Sequence, residues 1–241
     1  MKLNANMQTY KQFRVPDLRG ILLATLIAVV GQTPVFAQAM SPACGSLQAS
    51  YGPFDYRTDH DKLPIVTGAH FTAQVEALIK GTTSRLPGGD IAYTLRAIPN
   101  HHRALIAMLR LSEKEKTPTP YGAGYAIECW FERATTFRPD DAIVRMIYST
   151  YLNSKGRVPD ANTQLDIATV HAKDNAFTHY NIGLHYFDLK NYDKALAEAH
   201  KAIELGFTQI ELREQLRSVG KWADPVEAPA AAASAPTSAA K

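Results

Sequence analysis

Between residues 142 and 209 the apolar and polar positions repeat. Laid over itself at an offset of 34 residues, this stretch sets Ser149 on Gly183, Leu152 on Tyr186, Ala161 on Ala195 and Ala168 on Ala202. Small residues return where two helices must approach closely, and larger apolar residues return between them. Spacings of three and four put each set on one helix face. Each unit therefore reads as a hairpin of two helices around a tight turn, Lys155-Gly156-Arg157 in one and Lys190-Asn191 in the other. Hairpins repeating at this period bury their apolar faces on their neighbours.

The pattern weakens upstream without vanishing. Phe71, Val75, Leu78 and Ile79 suit one face of a short helix over 71–80, with Gly81 at its end. Pro87-Gly88-Gly89 reads as a turn, and Asp90 as the cap of a helix over 91–98. A long helix follows over 101–116. The four Pro and Gly residues between 118 and 124 form a loop. Helical spacing resumes over 126–137, where Phe131, Ala134 and Pro139 close a first, longer unit. Residues 40–67 are rich in Gly, Pro, Tyr and Asp, and read as turn-rich chain with aromatic anchors. Downstream, 208–219 is an amphipathic capping helix with Ile210, Leu212 and Leu216 inward. Gly220 stops it and Trp222 packs back. The reading is all-α: about three stacked hairpins over 99–220 including the cap, an N-terminal extension with short helices over 40–98, and a disordered Ala/Pro-rich tail over 221–241.

The first 39 residues read as an export signal. Lys2, Lys11, Arg14 and Arg19 precede a short apolar run over 21–30, and Ala37-Gln38-Ala39 has the small-x-small form of a cleavage site. The run is too short to anchor the chain comfortably across a bilayer. The expected location is the periplasm, ahead of secretion. The whole chain has 26 basic and 23 acidic residues. The signal carries four of the bases and one acid, so the exported part has 22 of each. That balance argues against a nucleic-acid or acidic-membrane partner. The two cysteines, Cys44 and Cys129, would meet an oxidising compartment. They read as a disulfide tying the N-terminal segment to the repeats, with two buried thiols as the other reading.

Asn181-x-Gly183-x-x-Tyr186, followed by Tyr192-x-x-Ala195-x-x-x-Ala199-x-x-Ala202, resembles the tetratricopeptide repeat family. The preceding unit is a degenerate version, with Ser149 for the Gly and Leu152 for the Tyr. Residues 93–105 and 51–56 look like a subgroup of small exported bacterial proteins of that family. The resemblance covers about 100–220 and implies a module that binds protein or peptide in a groove lined by the first helix of each hairpin. Carried over position by position, it puts Arg103 and Arg110, then Met146 and Thr150, then Phe177, Tyr180, Asn181, Leu184 and Phe187 on that groove. The helix over 176–188 is apolar on both sides, so something must cover its groove side. The cover is either a partner peptide or the chain's own 40–97 segment. A branch of the family grips C-terminal carboxylates with basic residues in the groove, but Phe177 stands where one of those would be.

No catalytic, cofactor or metal set emerges. His101 and His102 are adjacent, so they point to different sides of a helix, and both sit where polar side chains cap backbone donors. There is no H-E-x-x-H, no paired cysteine ligand set and no G-x-S-x-G. The expected function is a non-catalytic scaffold or assembly factor in the envelope. Two other readings stand beside it. One is an enzyme whose site lies between the extension and the repeats, with His101 or His102 near Asp55 or Asp90. The other is a structural subunit packing Phe177 and Phe187 against a second copy.

Overall fold

The structure, a computed structural model, describes residues 40–225; residues 1–39, read above as an export signal, and residues 226–241 of the expected tail lie outside the described residues. Among the described residues the fold is all-α. Its helices are α1 (Leu63–His70), α2 (Ala73–Glu76), α3 (Pro87–Ala97), α4 (His102–Glu115), α5 (Ile127–Phe137), α6 (Ala142–Ser154), α7 (Val158–Ala172), α8 (Ala176–Asp188), α9 (Tyr192–Glu204) and α10 (Glu211–Ser218).

The period is visible in the caps. Asp141 and Asn175 are 34 positions apart, and each precedes the first helix of its hairpin. Asp141 accepts from the backbone N–H groups of Ile143 and Val144, and Asn175 from that of Thr178. His101 and Asn191 cap α4 and α9 in the same way. Such side chains satisfy donors that a helix start leaves unpaired. The small residues lie where the hairpin helices meet: Ala161, Ala168, Ala195 and Ala202 are buried. A Cβ on Gly183 would fall 2.5 Å from Leu212 and 3.3 Å from Glu198 Cβ, so that position must stay small.

From α4 onward each helix packs on the next, and α4, α6, α8 and α10 also pack on one another in series. The partner helices α5, α7 and α9 make no comparable row. One row is thus close-packed and the other spread. Two cores result. One runs from α2 to the start of α7 around Leu105, Met108, Trp130 and Phe131; the other runs from α6 to α10 around Leu165, Ile182, Tyr186 and Leu216.

Four local readings are corrected. The turn-rich segment ends in α1, which begins with Pro64 in its first turn and buries only Leu63 and Val66. The helix expected over 71–80 is just one turn: Leu78 adopts a φ of 57° and Ile79 is exposed. Asp90 is not a helix cap. Pro87 starts α3, as proline at a first turn can. The Asp90 carboxylate instead gathers the backbone N–H groups of Thr82, Thr83 and Ser84, together with His70 from α1. In the capping helix, Leu212 and Leu216 are buried but Ile210 is exposed, because α10 begins one residue after it.

Cys44 and Cys129 are bonded, with their Cα atoms 4.9 Å apart. The loop that carries Cys44 is held a second time by Arg133. This guanidinium is buried in α5 and donates to the carbonyls of Cys44 and Ser46 at 3.0 and 2.6 Å, among the rings of Tyr125 and Trp130.

Candidate binding groove

The close-packed row presents one continuous face, and the residues expected to line a groove divide there into three groups. On α4, Arg110 is exposed, while Arg103 is drawn toward Glu76 of α2, to which its Nε donates at 2.7 Å. On α6, Met146 is buried and Thr150 is exposed, with its hydroxyl on the Met146 carbonyl. On α8, Phe177 is 62% exposed, and Leu184 and Phe187 are half-buried. Asn181 donates to the Phe177 carbonyl at 2.7 Å, which leaves its own side-chain oxygen open.

Tyr180, expected on the same face, is turned away from it. Only 7% exposed, it packs against Phe207 with ring centroids 4.7 Å apart, under the start of α10. The capping helix, not a ligand, covers that side of α8.

Between α6 and α8 lies a cleft of about 230 Å³. Met146 and Ile147 lie low in it, Ile143 and Phe177 form exposed lips, and Asn181 and His185 add polar edges. Burial pushes the His185 imidazole below its ordinary pKa, which favours the neutral ring. Ile147 and His185 were not anticipated. They lie one position from residues chosen on family spacing, and only the observed rotation of α6 and α8 brings them into the cleft.

The segment 40–97 does not fill this cleft, whose lining starts at Ile143. Its aromatics form a small core of their own. Tyr51, Phe54, Tyr56 and Tyr93 pack around Leu63, Val66, Ala97 and Ile98, and the Tyr56 ring rests on His101 and His102.

Of the acids and histidines weighed for catalysis, Asp55 and His102 join one cluster, through Asn100 and Asp141, at the junction of that small core with the repeats. Asn100 is fully buried and donates to Asp55 at 2.7 Å and to Asp141 at 2.9 Å. Both carboxylates are buried. Arg57 and Arg138 pair with Asp55, and His102 Nε2 sits 2.9 and 3.0 Å from the two oxygens of Asp141. Burial alone would raise the pKa of both acids. The donors around them outweigh it, holding Asp55 well below the usual carboxylate range and lowering Asp141. Asp90 takes no part in this cluster: from α3 it binds the loop over 82–84. The cluster is a set of matched pairs in which each carboxylate already has its donors. Such a network fastens two parts of a chain together.

No family model, curated protein or solved structure matches the chain.

Proposed function

We propose that this protein is a non-catalytic binding module of the tetratricopeptide-repeat type, exported to the cell envelope, that holds a peptide segment of another protein across α4, α6 and α8. The observation that carries this reading is the open apolar cleft between α6 and α8. A phenylalanine and an isoleucine, 62% and 42% exposed, stand at its lips, the Phe177 ring touching Phe207 only at one edge. An aromatic or aliphatic anchor entering such a cleft would bury both partners' apolar surface, as interface hot spots do. Series packing of α4, α6, α8 and α10 supports a concave inner face, since the helices on the inside of a curve lie closest together. Arg110 on α4 offers a cation to an acidic residue further along a bound segment. Export is supported by the charged and apolar start of the chain and by the Cys44–Cys129 bond.

The test is a crosslinked pull-down from the envelope fraction, comparing wild type with a variant carrying Ile143→Asp and Phe177→Asp. Both positions are exposed, so the variant should melt within a few degrees of wild type. Its partners should be lost. Recovery of the same partners by both proteins would sink the proposal. Tyr180 is unsuitable for this experiment, because a charge there would disrupt the contact with Phe207 and α10.

A further inference from the structure

A cavity of about 390 Å³ lies away from the groove, where the spread row leaves room between α5 and α7 over α6. Four charged side chains line it. Two are matched to each other: Glu128 pairs with Arg157 and accepts from the Tyr148 hydroxyl at 3.0 Å. The other two have only neutral partners. Glu132 accepts from the Ser41 backbone N–H at 3.0 Å. Arg145 donates to Gln164 Oε1 at 2.8 Å and to the Pro139 carbonyl at 3.3 and 3.4 Å. Both are half-buried, and they stand outside ion-pairing distance of each other. Asp141 contributes to the field at Arg145, but its oxygens are already occupied by His102, Asn100 and the start of α6.

An acid and a base thus face one cavity from different helices, each partly withdrawn from water and without a counter-charge among the described residues. Charges in such surroundings gain most from a ligand that supplies what they lack. The four charges sum to zero, so a phosphate or nucleotide would meet two carboxylates, and a lone cation would meet Arg145. A molecule with one positive and one negative end satisfies both. The volume sits near the lower end of the roughly 300–1,000 Å³ of small-molecule sites. We propose that this cavity binds a small zwitterion, a free α-amino acid or a dipeptide, with its ammonium on Glu132 and its carboxylate on Arg145. The planar guanidinium fork suits a carboxylate. The site is independent of the groove, and its failure would leave the peptide-binding reading untouched.

Isothermal titration calorimetry of the purified protein with L-alanine, L-leucine, L-serine and Ala-Ala tests this. At least one should bind, and its N-acetyl form and its amide should each bind about tenfold more weakly or worse. Glu132→Gln and Arg145→Met should each cause a comparable loss, with an unchanged circular dichroism spectrum. Should either variant misfold, the blocked ligands on wild type still decide. The proposal is overturned if none of the four binds at roughly 10 mM. It is equally overturned if the N-acetyl form binds as well as the free amino acid. That result would follow if Glu132 were held by the α-amino group of a chain beginning at Met40.

Discussion

His101 caps α4 through Nδ1 and buries its ring against Tyr56 and Phe71. Burial, reinforced by the neighbouring His102 and Arg103, pushes its pKa down to about 3. A folded-state value below the unfolded one, near 6.5, favours the neutral ring. Its contribution is therefore complete above pH 6.5 and is lost as the pH falls toward 3. Urea unfolding at pH 7.5 and 5.5 should show wild type losing about 1 kcal/mol to this group. His101→Asn keeps a capping acceptor and removes the titration. It should start less stable, from lost ring packing, yet decline less between the two pH values. An equal decline in both proteins would show that His101 does not titrate across folding. Asp55, Asp90 and Asp141 act lower on the scale. Their depressed values mean that stability is present above about pH 4 and is withdrawn below it.

At the scale of elements, the 34-residue period is most informative where it is imperfect. Gly156 ends the helix of one hairpin with a φ of 71°, and Lys190 occupies the matching position of the next with a φ of 58°. A side chain in that left-handed conformation is strained where glycine is not. Lys190→Gly should therefore raise stability by about 0.5–1 kcal/mol, read as a higher urea midpoint with an unchanged slope. A lower midpoint would show that the Lys190 side chain contributes more than its backbone strain removes.

The same level explains what the sequence disclosed. The hairpins over 142–209 were legible because small residues recur at buried contacts, and burial at helical spacing is a local signal. The helix α1 was not, since Pro64 and Gly68 mask it and only two of its residues are buried. The clefts and the polar cluster were illegible for a different reason. Asn100 meets Asp55 across 45 positions and Asp141 across 41, and no local pattern encodes such a meeting. Of the groove, the sequence yielded residue types and a face. Which side of α8 the capping helix would take, and so the fate of Tyr180, depended on tertiary packing.

For the molecule as a whole, the Cys44–Cys129 bond closes a loop of 85 residues. In the chain-entropy picture such a loop is worth about 4.5 kcal/mol. Reduction with dithiothreitol should lower the urea midpoint correspondingly. The reduced protein should stay folded, since Arg133 and the Asp55–Asn100–Asp141 cluster still hold residues 44–59. Unfolding on reduction would show the bond to be the sole fastening of that segment.

All these fastenings lie on one side of residue 142. Beyond it, the longest side-chain hydrogen bond among the described residues spans 35 positions, from Thr150 to His185. Neighbour packing alone then sustains α7 to α10, and a chain built that way opens from its unfastened end. Amide hydrogen exchange should accordingly be fastest in α10, slower in α8, and slowest in α4 and α5. A ligand lying across α6 and α8 would bridge the slow and fast halves, and its arrival would register as slowed exchange in helices it never touches.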